Sequence, residues 1–157
     1  MNKFLILLFL SISSLSFSQG MSEKNNLWNR GDILVGVNSD LLGQSWTDVS
    51  LSPSLGYAVT DNDLVYANFS YTDNPSRSAY RLGYNHQVCS LAYVGVAGSI
   101  SKYQSEEWAK YFCIEAGIGK TLGDWLLITP KVAFGHLWDN NITQFTLNTT
   151  VTFSIKI

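Results

Sequence analysis

The C-terminal fifteen residues constrain the fold more tightly than any other stretch. From Thr143 to Ile157, Phe145, Leu147, Val151, Phe153, Ile155 and Ile157 alternate with Gln144, Thr146, Asn148, Thr150, Thr152, Ser154 and Lys156. A period of two is that of a β-strand with two unlike faces, whereas a helix would repeat every 3.6 residues. The run is also long. Ordinary globular strands have about 5–6 residues, and about 9–11 tilted residues cross a bilayer.

The same alternation starts at Gly31 and divides the chain into eight segments. They are 32–39, 48–59, 63–72, 77–85, 89–102, 108–120, 125–137 and 143–157. Tight, turn-forming links are expected at Asp61-Asn62, around His86-Gln87, and at Leu122-Gly123-Asp124. Longer polar links fall between them, at 40–47, 73–76, 103–107 and 138–142. Short turns at one end and longer loops at the other are the habit of bacterial outer-membrane barrels. An even strand number puts both termini at the turn end. The fold expected is therefore all-β, an eight-stranded antiparallel up-and-down transmembrane β-barrel. Pro53 and Pro130 lie inside segments two and seven, where a missing ladder donor is expected to force local bulges.

Eight alternating strands would also suit a soluble, lipocalin-like barrel, so the decision rests on which face meets water. The polar set is mostly Ser, Thr, Gly, Asn and Gln. Charged residues make up only 14% of the chain, against about 25% in an average soluble domain. Small uncharged side chains suit a narrow lumen and leave the apolar set for lipid. Tryptophan placement agrees with a membrane barrel. Trp46, Trp108 and Trp138 lie at the loop end and Trp28 and Trp125 at the turn end, the expected positions of two interfacial girdles.

The N-terminus reads as an export signal. Lys3 precedes the apolar run Phe4–Leu10, and Ser16-Phe17-Ser18 supplies small residues for a peptidase. Residues 1–18 are expected to be cleaved, residues 19–30 to form a short polar lead-in, and residues 31–157 to form the barrel, located in the cell outer membrane. No cysteine directly follows the apolar run, so an acylated lipoprotein is not expected. The mature part carries nine basic and twelve acidic residues, a balance that excludes nucleic acid as a partner. Cys89 and Cys113 fall at different heights on neighbouring strands, a poor geometry for a disulfide. With His86 and His136 they make no recognisable metal-ligand spacing, so no metal or cofactor is expected.

The stretch Leu51-Ser52-Pro53-Ser54-Leu55-Gly56-Tyr57, followed by Thr60-Asp61-Asn62, resembles the second strand and first turn of small porin-like outer membrane barrels of the OmpA/OmpX-like superfamily, Bacteroidetes type. Glu115-Ala116-Gly117-Ile118-Gly119 is similar to the sixth-strand pattern of that family. The resemblance covers residues 31–157 and implies an eight-stranded barrel. One departure is the ending Phe153-Ser154-Ile155-Lys156-Ile157, where the family favours a terminal aromatic.

Three charges interrupt the middle of strands: Arg81, Glu115 and Lys131. By alternation all three face the lumen at mid-height. With the intervening turn centred on Gly123, Glu115 and Lys131 are expected directly opposite each other, with Arg81 reaching the pair from strand four. A structural plug is the main reading of this cluster, and a gate or proton path the sharper one. No catalytic residue is identified. His136-Leu137-Trp138 lacks the serine of the His-x-Ser signature of barrel lipid deacylases, and no Ser–His–Asp or Cys–His set converges. The sequence thus favours a monomeric, non-enzymatic barrel with a structural or surface-interaction role. Its partners would be outer membrane lipid and lipopolysaccharide, and the barrel assembly machinery during biogenesis. The alternative is a narrow porin-like channel.

Overall fold

Alternation gives every strand one apolar and one small polar face, and a sheet of such strands can satisfy both only by closing on itself. The computed structural model describes residues 26–40, 51–73, 76–103, 108–138 and 143–157. Its strands are β1 (Ile33–Asp40), β2 (Leu51–Ala58), β3 (Asp63–Asp73), β4 (Ser76–Gln87), β5 (Ala92–Tyr103), β6 (Ala109–Ile118), β7 (Lys120–Leu122), β8 (Leu126–Trp138) and β9 (Thr143–Lys156). β7 continues β6 past Gly119, and both pair with β8 in one register, so together they form a single stave. All pairings are antiparallel between neighbours. Closure comes from β1, where Leu34 lies opposite Gly56 of β2 on one side and Lys156 of β9 on the other. The result is a closed, eight-stranded, up-and-down barrel of the transmembrane type, as the alternation predicts.

The apolar set points outward. Leu82 is 70% exposed and Ile114 62%, and Leu55, Phe112, Phe134 and Leu147 share that belt. A continuous apolar belt of this extent is incompatible with a water-facing surface. Inside lie Asn38, Asn85, Thr129, Thr150, Thr152 and Ser154, all buried.

Several local expectations need correction. The second turn lies at 88–91, not at His86-Gln87, because β4 runs on to Gln87 and pairs it with Tyr93. Cys89 therefore sits exposed in a turn instead of opening a strand. The third turn is centred on Asp124: Leu122 pairs with Leu126, and Gly123 takes the left-handed conformation (φ 62°) that favours glycine. Neither proline makes a bulge. Pro53 faces Val37, and Pro130 faces Val151, in ladders of constant register. The ladders on their other sides are interrupted instead. Pairing of β2 with β3 begins at Ser54, and the stave facing Pro130 skips Ile118 and Gly119. The absent N–H thus falls where no ladder bond forms. The Asp48–Ser50 part of the second segment and Trp46 lie outside the described residues.

Trp28 is the largest correction. Trp108 and Trp125 are exposed as girdle residues should be, but Trp28 is only 1% exposed. It enters the turn end of the lumen with Leu27 and packs in a cluster with Leu34, Ala58, Leu64, Tyr93 and Leu127. The stretch read as a polar lead-in therefore supplies two core side chains. Gly31 (φ 95°) turns the chain from this insertion into β1, and its N–H donates to the Ala58 carbonyl at 2.9 Å. Further along the insertion, the Leu27 N–H donates to Gln87 Oε1 at 3.0 Å, and the Arg30 N–H donates to Asp61 Oδ1 at 2.8 Å. Gly119 makes room for Leu27, since a Cβ there would lie 2.7 Å from the leucine's Cδ2.

Candidate functional site in the barrel lumen

The lumen's chemistry centres on Glu115 of β6, which is 0% exposed. Its Oε1 accepts a hydrogen bond from Arg81 Nη2 of β4, and its Oε2 accepts one from the Tyr66 hydroxyl of β3 at 2.5 Å. Lys131 Nζ of β8 stands 3.3 Å from each carboxylate oxygen. The same ammonium donates to the Tyr66 hydroxyl oxygen at 3.3 Å and lies 4.5 Å from that ring's centroid. Arg81 Nη2 also donates to Cys113 Sγ at 2.9 Å, and its guanidinium lies 5.9 Å from the Tyr111 ring centroid.

The three charged residues singled out in the sequence therefore meet, but not in the expected register. Glu115 faces Ala133, and Lys131 faces Gly117. Because the turn is centred on Asp124 and not Gly123, the partner strand is offset by two residues. A two-residue offset keeps every side chain on its own face, so the ion pair survives as a diagonal contact.

Two tyrosines not anticipated as site residues complete the arrangement. Tyr66 faces Gly83 and Tyr93 faces Gly117 across the sheet. A Cβ at Gly83 would meet the Tyr66 ring at 2.3 Å, and one at Gly117 would meet Tyr93 Cζ at 2.5 Å. Each ring occupies the space over a glycine, and the Tyr66 hydroxyl reaches Glu115. The signal was present in the sequence as an aromatic of lumen parity and a glycine on the next strand, but it becomes legible only with the register known.

Beside this cluster lies a partly open cavity of about 30 Å³, lined among others by Tyr66, Lys131, Asn68, Asn85, Thr129 and Trp28. Such a space holds two or three waters, at ~10–15 Å³ of this measure for each. Trp28 Nε1, Asn68 Oδ1 and Asn85 Oδ1 have no hydrogen-bond partner among the described residues.

The remaining candidates stay apart from this site. His86 faces Asp63 at the turn-end rim, with Nδ1 2.8 Å from Oδ1, and the Tyr84 hydroxyl donates to the same oxygen. His136 belongs to the outward set, opposite Phe112 and Phe145. Cys89 and Cys113 are both free thiols, the first exposed in a turn and the second buried in the lumen.

Comparison with known proteins gives likeness of fold only. No family model matches the sequence, and no curated protein matches it. Among solved structures, the N-terminal β-barrel domain of Pseudomonas aeruginosa OprF superposes with a TM-score of 0.62 at 10% identity, covering 83% of this chain and 100% of that one. A de novo designed transmembrane β-barrel matches with a TM-score of 0.53 at 13% identity, covering 83% of this chain and 98% of the design. A second designed barrel, TMB2.3, gives 0.52 at 14% identity over 82% and 96% of the two chains.

Proposed function

We propose that the chain is exported through a leader cleaved after residue 18 and stands in the outer membrane of a Gram-negative cell. There it acts as a monomeric, OmpA/OmpX-like barrel with a structural or surface-interaction role in contact with lipid and lipopolysaccharide. The observation that carries this reading is that the lumen is closed twice. Leu27 and Trp28 fill the turn end, and the Glu115 cluster crosses the middle, with a cavity of only about 30 Å³ that Trp28 and Lys131 both line. An interior of eight strands is just wide enough to be filled by side chains, and a solute would have to displace both layers to pass. The porin-like alternative therefore needs a rearrangement. A catalytic role on lipid has no support from His136, which pairs with Phe112 of the outward set. With the tight turns and both termini at one end, insertion by the barrel assembly machinery would leave that end in the periplasm.

The full chain expressed in a Gram-negative host should fractionate with the outer membrane, and the purified barrel should give no steady conductance in planar bilayers. Recovery as a folded monomer in plain buffer would refute the membrane reading. Stable conductance would replace the structural role with the channel.

A further inference from the structure

We propose that the lumen cavity is a binding site for one small monovalent anion of the chloride class, held between Lys131 and the indole N–H of Trp28. Charge is the first argument. Among the described residues the lumen cluster holds two cations, Arg81 and Lys131, and one anion, Glu115. Both cations share that one carboxylate, and the Lys131 side chain is only 6% exposed. A buried charge without its own counter-charge is strongly destabilising.

The second argument is the chemistry of the cavity wall. Lys131 and Trp28 both line the space. An ammonium and an indole N–H can only donate hydrogen bonds, and Trp28 Nε1 has no acceptor among the described residues although its side chain is 1% exposed. The occupant must therefore accept. Water would satisfy the indole but leave the excess positive charge, whereas an anion answers both. Asn68 and Asn85 also line the cavity with unpartnered amide oxygens. A half-turn of an amide exchanges its oxygen and nitrogen, so each can present N–H donors to an anion. Size is the third argument. A space of about 30 Å³, room for a few water-sized groups, suits a monatomic ion better than a phosphate, a sulfate or a lipid carboxylate.

The test is the urea unfolding midpoint of the full chain refolded into phosphatidylcholine vesicles, in sodium chloride and in sodium gluconate at matched ionic strength. For the native chain, each tenfold rise in chloride above the dissociation constant should raise the folded-to-unfolded ratio up to tenfold, and bromide should substitute while gluconate and sulfate do not. Lys131→Met leaves Arg81 and Glu115 as a neutral pair, and its midpoint should be the same in both salts. Glu115→Gln raises the excess charge, so its chloride response should begin at lower concentration, which a purely structural role for Glu115 would not produce. Trp28→Phe should need more chloride for the same effect, and it covers the case in which Lys131→Met fails to fold. An identical chloride response in the native chain and Lys131→Met or Trp28→Phe would reduce the effect to general salt and overturn the site. Crystals of the native barrel grown in bromide give a direct reading. An anomalous peak beside Lys131 supports the site, and a lumen without one overturns it.

Discussion

Glu115 is shared by two buried cations, and that sharing predicts an unequal response to mutation. Glu115→Gln removes the only carboxylate of the cluster among the described residues and leaves Arg81 and Lys131 without a counter-charge. Breaking a buried ion pair by removing one partner costs about 3–5 kcal/mol, and here one change strands two charges, so the upper half of that range is expected. Lys131→Met is milder. It removes the ammonium contacts at 3.3 Å but keeps Glu115 paired with Arg81 and hydrogen-bonded to Tyr66. Loss of hydrogen bonds to a charged group costs about 1.5–3 kcal/mol, offset in part because an apolar side chain of similar length is easier to bury than an ammonium. The double variant strands only Arg81, whose side chain keeps 18% exposure, and it should be less destabilised than the two single effects combined. The assay is equilibrium urea unfolding in lipid vesicles at one fixed salt composition, with the slope checked for constancy. Equal costs for the two single variants, or strict additivity in the double, would refute the shared-carboxylate arrangement.

Two further outcomes follow from the turn end. Trp28→Ala should lower stability by about 3–5 kcal/mol, the usual range for truncating a buried aromatic, whereas a free lead-in would lose nothing measurable in the same unfolding assay. In the folded barrel a membrane-impermeant maleimide should label Cys89 and spare Cys113, one being exposed in the turn and the other buried beside Arg81. Labelling that persists in Cys89→Ser before denaturation would contradict the lumen placement of Cys113.

The barrel was legible in the sequence because a strand's side chains obey a parity that needs no knowledge of the fold. Phe145 through Ile157 alternate so regularly that face assignment follows directly, and Thr150, Thr152 and Ser154 are buried as that parity requires. What parity cannot supply is register. Placing the third turn on Gly123 puts Lys131 directly opposite Glu115, whereas the observed turn on Asp124 moves it to a diagonal. The prolines failed as bulge markers for a related reason. Whether a missing N–H disrupts a sheet depends on where the neighbouring ladder stops, and that is a property of two strands at once.

The site was legible only as far as this parity reached. Arg81, Glu115 and Lys131 stood out because a charge in the middle of an otherwise uncharged alternation has few explanations, and a two-residue error in register leaves all three on the inner face. Tyr66 and Tyr93 share that face, but their roles depend on Gly83 and Gly117 lying opposite, so they emerged only with the cross-strand pairs. Leu27 and Trp28 carry no such code. They precede the first strand, belong to no alternating run, and sit among Asn25, Asn26, Asn29 and Arg30, which read as solvated chain. Their burial follows instead from a space that the strands create together: Gly119 and Ala58 leave room at the turn end, and Tyr93 offers Trp28 a ring edge with centroids 5.9 Å apart. A segment outside the sheet is thus placed by the shape the sheet leaves empty, and this is why the closure of the turn end was the part of the lumen that pattern alone did not foresee.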